Sequence, residues 1–277
     1  MPKLKSPKRD RTARPPTPTV PTPLRVFLGW CVHAYTGLGV ICAALIAVSI
    51  VRGGPAEFRW SFFIMLVATL IDSTDGTLAR KVRIKEAVPS FDGRRLDDII
   101  DFLTYTFLPL LLVWRAQILP PGFEPALLFP LVASAYGFCQ VEAKTDDGYF
   151  LGFPSLWNVV AFYVYLIDLV APSSGPWISL LLIVTLATLT FVPTRHLYPS
   201  LPGKINRLAT LLGIPWGVVV LWLLWKLPTQ PDQSLDTTTV AVAWASMFYP
   251  VFYLGVSWYI SIAYWKNQRT ARHGQPG

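Results

Sequence analysis

Residues 26–51 read VFLGWCVHAYTGLGVICAALIAVSIV, an unbroken run with no Asp, Glu, Lys or Arg. At ~1.5 Å of rise per residue such a helix is longer than the ~30 Å hydrocarbon layer of a bilayer. Only helices and closed barrels satisfy their backbone inside lipid, and a continuous apolar run, unlike an alternating one, selects the helix. Seven more apolar runs follow, centred on 60–78, 99–119, 126–141, 156–170, 178–192, 208–225 and 240–265. The expected fold is therefore all-α: a polytopic integral membrane protein with about eight transmembrane helices. Composition agrees, since 53% of the 277 residues are hydrophobic and only 14% charged, which excludes an ordinary soluble domain, a coiled coil and collagen. The three cysteines, Cys31, Cys42 and Cys139, lie in apolar segments without CxxC spacing, so neither a disulfide framework nor a structural zinc site is expected.

The first run is too long, and too poor in an Ala-x-Ala site, to be a removable secretory peptide, so it is expected to remain as a span. Residues 1–24, rich in Pro, Thr, Lys and Arg, are expected to form a disordered basic tail. Residues 25–266 form the membrane-embedded domain in this reading, and 267–277 a second short tail. With the N-terminus in the cytoplasm, 20 of the 24 basic residues fall on the cytoplasmic side, leaving Arg52, Arg59, Arg115 and Lys226 opposite. Both termini are then cytoplasmic. The net charge of +8 follows from this topology and from attraction to anionic lipid, so no nucleic-acid partner is needed to explain it.

Charged groups inside spans are expensive and mark function. Asp72 and Asp75 fall near the cytoplasmic end of the second run, and Asp97, Asp98 and Asp101 at the start of the third. On helices, Asp72 and Asp75 are i, i+3 neighbours and Asp97 and Asp101 are i, i+4 neighbours, so each pair shares a face and four carboxylates can converge. Such a group repels itself unless protonated or bridged by cations, and a hard divalent ion with oxygen ligands suits it best. Asp98, rotated off that face, reads as a carboxylate at a helix N-terminus. Gly29, Gly37 and Gly39 suggest close helix packing in the first span, and His33 reads as a core or interface histidine.

The full pattern is Asp72-x-x-Asp75-Gly76-x-x-Ala79-Arg80, twelve residues, then Gly93-x-x-x-Asp97-x-x-x-Asp101. This resembles the signature of the CDP-alcohol phosphatidyltransferase family, with every fixed position present. The twelve-residue interval is longer than in most members and looks like that of the bacterial phosphatidylcholine synthases within the family. Further similarity to that branch lies in Ala79-Arg80-Lys81-Val82, Thr104-Tyr105, Leu108-Pro109, Lys144-Thr145-Asp146 and Tyr149-Phe150-x-Gly152-Phe153-Pro154-x-x-Trp157-Asn158.

The resemblance implies a six-helix core, here with two additional C-terminal spans, a homodimer, and residence in the bacterial inner membrane. It implies transfer of a phosphatidyl group from CDP-diacylglycerol to choline with release of CMP. By the same resemblance Asp72, Asp75, Asp97 and Asp101 would hold Mg²⁺ or Mn²⁺, and Asp101 would also be the general base. Thr36, Gly76, Ala79, Arg80 and Gly93 would line the CDP site, the glycines by letting backbone approach the ligand. A quaternary ammonium offers no N–H, so aromatic faces and carboxylates should receive it; Tyr105, Tyr136, Asp146, Tyr149 and Trp157 are the candidates. Arg195, His196, Lys204 and Arg207 would meet lipid phosphate or head groups.

Two alternatives remain. Another acceptor alcohol (serine, inositol or glycerol phosphate) would use the same chemistry, although a phosphorylated acceptor would want several Arg or Lys around it. A cation transporter would place its carboxylates near the bilayer midplane between inverted repeats, and neither feature is evident in the sequence.

Overall fold

The structure, a computed structural model, describes residues 22–140, 149–197 and 204–273. Residues 1–21 of the expected basic tail and Asp146 lie outside these residues, while Pro23 and Leu24, counted in that tail, already belong to the first helix.

The chain begins as a helical hairpin. α1 (Pro23–Arg52) is capped by the Thr22 hydroxyl and opened by proline, and α2 (Pro55–Val82) follows after Gly53 and Gly54, whose φ values of 71° and 90° make the reversal. Residue Arg83, in the left-handed region, ends α2 and leads into the single turn α3 (Ile84–Ala87). α4 (Gly93–Asp101) is capped by the Asp92 carboxylate, which accepts from the Arg95 N–H at 3.2 Å. It runs without a break into a π-helical segment (Phe102–Phe107) and α5 (Leu108–Arg115). The π segment has a local cause. Pro109 offers no N–H to the Tyr105 carbonyl and would crowd it in an α-turn, so the turn widens and the Leu108 N–H bonds to the Leu103 carbonyl instead.

A 3₁₀ turn (Glu124–Leu127) then leads into α6 (Leu128–Cys139), and α7 (Trp157–Val170), α8 (Gly175–Thr190), α9 (Lys204–Lys226), α10 (Thr237–Ser246) and α11 (Phe248–His273) complete the helices. Two three-residue strands, β1 (Tyr149–Leu151) and β2 (Arg195–Leu197), pair antiparallel with Phe150 opposite His196. Helix is found at each of the eight expected positions, and the protein is an all-α polytopic membrane protein. Among the described residues, four stretches are long and apolar enough to cross a bilayer by themselves: 23–52, 55–82, 205–226 and 237–266. α6, α7 and α8 are shorter, at 12, 14 and 16 residues. Prolines 154, 172 and 193 bracket α7 and α8, where the missing N–H and the restricted preceding residue stop a helix, and Pro176 lies in the first turn of α8, where no N–H is required.

The short helices are not all alike in environment. α7 is buried nearly all round, from Val160 through Ile167, and forms the centre of the core with Phe58 and Phe62 of α2 and Leu112 of α5. The long α9 and α11 instead turn large apolar side chains outward, among them Leu211, Val218, Trp225 and Tyr259, as lipid-facing helices do. A buried polar joint ties α9 and α10 to α7: Trp216 of α9 donates to the Tyr163 hydroxyl at 2.9 Å, and Tyr163 donates to Ser246 Oγ at the end of α10 at 3.0 Å.

The charges sort to opposite ends of the bundle. At one end Arg115 lies against Gly53, Arg52 faces Glu57 at 3.8 Å, and Arg59 reaches the Leu227 carbonyl and stacks on Trp225. At the other, Arg25 pairs with Glu86 at 3.2 Å and reaches the Val82 carbonyl. The aspartates belong to that second end.

One side of α1 is made for close approach. A Cβ at Gly29 would lie 2.7 Å from Val88, and one at Gly39 would lie 2.5 Å from Cγ2 of the buried Ile100. That methyl sits on a β-branched carbon and cannot swing aside. Gly39→Ala is therefore expected to lower the thermal midpoint in detergent through overpacking worth about 1–3 kcal/mol. Gly39→Ala with Ile100→Ala should recover part of the loss, and strictly additive effects would show that the two positions do not touch.

Candidate active site

α2 and α4 bring three of the four signature aspartates together. Carboxylate oxygens of Asp72, Asp97 and Asp101 all lie within 4.8 Å of one another, and each residue is half-buried. This hard, all-oxygen donor set suits Mg²⁺ or Mn²⁺ in chemistry, and the oxygens would draw together around an ion, where neighbouring ligands at ~2.1 Å bonds stand ~3 Å apart. Without a cation, each pair of charges at the 4.8 Å limit would repel by about 3–4 kcal/mol at an effective dielectric of 20.

The fourth, Asp75, stands apart from this trio. It is only 7% exposed, and its Oδ2 accepts the Thr36 hydroxyl of α1 at 2.8 Å. Thr36, expected beside the nucleotide, thus has a carboxylate as its partner. One residue earlier, the Tyr35 and Thr74 hydroxyls meet at 2.8 Å. Both bonds pin α1 to α2 beside the cluster.

The two signature glycines differ. At Gly76 an added Cβ would meet nothing closer than Nη1 of Arg80 at 3.4 Å, so the space over this turn is open. Ala79 is half-exposed beside it, and the exposed Arg80 folds back, donating to Thr77 Oγ1 at 2.9 Å. At Gly93 the Cβ position is already taken by the His33 imidazole, 2.5 Å away. His33 is buried, packs on Phe91 at 4.4 Å between ring centroids, and serves helix packing as a core histidine would. Asp98 is not at a helix start: α4 begins at Gly93 and Asp92 is its cap. The sequence reading began the third helix near Ile99 because the charged first turn carries no apolar signal.

The proposed choline residues have separate neighbours. Tyr105, on the π segment, donates its hydroxyl to Asp72 Oδ2 at 2.8 Å. Trp157 is 0% exposed, donating to Ser134 Oγ at 2.7 Å and packing on Phe153. Tyr136 accepts from the Gln140 amide and lies against Phe191, with ring centroids 5.1 Å apart. Tyr149 has the Arg195 guanidinium 5.4 Å from its ring centre, and Tyr264 has it at 3.5 Å. In the same ribbon, burial pushes the His196 imidazole down to about 4. The ring is neutral at physiological pH and brings no positive charge to a lipid phosphate.

Comparison with known proteins places this geometry. The chain is 35% identical over 250 residues to the phosphatidylcholine synthase of Pseudomonas aeruginosa, covering 90% of this chain and 95% of that protein. The chain belongs to the phosphatidylcholine synthase family. Phosphatidylcholine synthases of Bradyrhizobium diazoefficiens and Borreliella burgdorferi are 36% identical over 207 residues and 32% identical over 192. The first alignment covers 74% of each chain, and the second 69% of this chain and 79% of the relative. No family model matches the chain. The family assignment agrees with the resemblance carried by the eight signature positions, and the protein is an enzyme of the CDP-alcohol phosphatidyltransferase class.

The contrast between the glycines is testable. Gly76→Ala should leave the thermal midpoint unchanged or raise it, since Ala favours helix, yet lower turnover several-fold if ligand occupies the open space. Gly93→Ala should lower the midpoint, because its Cβ overlaps His33. Equal stability loss in both would mean that Gly76 is also a packing glycine.

Proposed function

We propose that the protein condenses CDP-diacylglycerol with choline to give phosphatidylcholine and CMP, and that the Asp72–Asp97–Asp101 cluster is the centre of the reaction. The carrying observation is the convergence of those three carboxylates from two helices. Family membership supports the two substrates, since the relatives bear the name phosphatidylcholine synthase.

A bound Mg²⁺ or Mn²⁺ would supply charge neutralisation for the phosphates of the CDP-lipid. Asp72, Asp97 and Asp101 would hold it, with Asp75 beside them and oriented by Thr36. Arg80, exposed one turn beyond Gly76, offers a fork of N–H donors to a phosphate oxygen. Asp101 accepts the proton of the choline hydroxyl. The freed oxygen forms a bond to the phosphorus that carries diacylglycerol, while the bond from that phosphorus to the bridging anhydride oxygen breaks and its electron pair leaves with CMP. Holding lipid and alcohol in line between two helices removes the entropy of their encounter.

The same reading places the reaction at the cytoplasmic face of the bacterial inner membrane, with both termini cytoplasmic, on the strength of the excess of basic residues at that end of the bundle. Residues 25–266 would be the catalytic domain. A homodimer is proposed from the family resemblance.

Purified protein in detergent, given CDP-diacylglycerol and Mn²⁺, should release CMP with choline and not with serine, inositol, glycerol 3-phosphate or no alcohol, and EDTA should stop it. Asp101→Asn should reduce release by roughly 10²–10⁴-fold while CDP-lipid binding persists. Release supported by another alcohol alone would remove choline as acceptor, and undiminished turnover in Asp101→Asn would remove the base.

A further inference from the structure

We propose that Tyr105 is a positioning residue for Asp72, its hydroxyl delivered by the π segment to hold that carboxylate in place. The inference rests on the metal-site reading above.

The contact is direct: the Tyr105 hydroxyl donates to Asp72 Oδ2 at 2.8 Å. The helix that carries Asp72 is itself held from behind. Asn158 Oδ1 accepts the Val159 N–H at 2.9 Å in the first turn of α7, where backbone donors have no helical partner, and Asn158 Nδ2 donates to Thr69 Oγ1 of α2 at 3.2 Å.

The π segment delivers the Tyr105 hydroxyl. From Asp97 to Tyr105 is eight positions, which in a continuous α-helix overshoots two turns by ~80°. The wider π turn rotates less per residue and returns Tyr105 to the side of Asp97 and Asp101. Pro109, which forces that widening, thereby helps to aim a hydroxyl at a carboxylate on the neighbouring helix.

A carboxylate can accept from Tyr105 and still offer lone pairs to an ion. What Tyr105 supplies is orientation. Asp72 would otherwise rotate away from two like-charged neighbours, and a donor behind a ligand carboxylate sets both its direction and its basicity. The hydroxyl that could have lined an alcohol site is committed to this task.

The test measures Mn²⁺ binding directly, by loss of the free-ion electron paramagnetic resonance signal on titration of purified protein, alongside choline KM and kcat. Tyr105→Phe keeps the ring and should weaken Mn²⁺ binding about tenfold or more, with choline KM unchanged at saturating metal. Pro109→Ala, which lets the α-turn re-form and rotates Tyr105 away from Asp72, should weaken it in the same direction; this variant decides the matter if Tyr105→Phe fails to fold. Wild-type affinity in both Tyr105→Phe and Pro109→Ala would overturn the inference. So would a raised choline KM with unchanged Mn²⁺ affinity in Tyr105→Phe, which would assign the tyrosine to the alcohol site. Absence of any Mn²⁺ binding by the wild-type protein would instead overturn the metal reading itself.

Discussion

Three carboxylates held within 4.8 Å of one another at the end of a membrane bundle form the constraint on which the architecture turns. Like charges so close are tolerable in a medium of low dielectric only if a cation bridges them or protons neutralise them. The folded chain must supply enough rigidity to hold Asp72 on one helix against Asp97 and Asp101 on another. Much of the packing around them serves that requirement.

α1 acts as the spine. Its small residues let α4 approach, with Gly39 against Ile100, while His33 fills the surface left by Gly93. Thr36 and Tyr35 fasten it to α2 through Asp75 and Thr74. Behind the cluster, α7 provides a close-packed backing and is tied to its neighbours by buried or half-buried polar contacts: Trp157 with Ser134, Asn158 with Thr69, Tyr163 with Ser246 and Trp216. Inside a membrane such bonds fix register between helices whose apolar surfaces alone would slide. The outer helices α9 and α11 take the lipid-facing role, which explains why they are long while the shielded α7 need not be.

The site was legible in the sequence to the extent that it depends on spacing along one helix. The i, i+3 and i, i+4 aspartates are readable because a helix repeats every 3.6 residues whatever surrounds it, whereas Gly76 and Gly93 enter the site only through the family resemblance. Gly93 was read as a ligand-facing glycine and proves to be filled by His33, a contact between residues sixty positions apart. Trp157, a cage candidate by sequence, is fully buried, since an aromatic near a span end looks the same in sequence whether it faces water, lipid or core. The start of α4 was missed for a related reason. Its first turn is charged, and Asp92 rather than Asp98 caps it.

The sequence by itself determined that the chain crosses membranes as helices, how its charges divide between two ends, and which carboxylates share a helix face. These follow from hydropathy, basic-residue placement and helical periodicity, all of them local properties. Only the tertiary structure decided that Asp75 leaves the trio for Thr36, that Tyr105 turns its hydroxyl to Asp72, and that α7 rather than a longer helix occupies the centre. Those outcomes depend on helix rotation and on partners distant in sequence. A single proline at 109 changes the rotation of one helix, and the consequence appears only where that helix meets its neighbour.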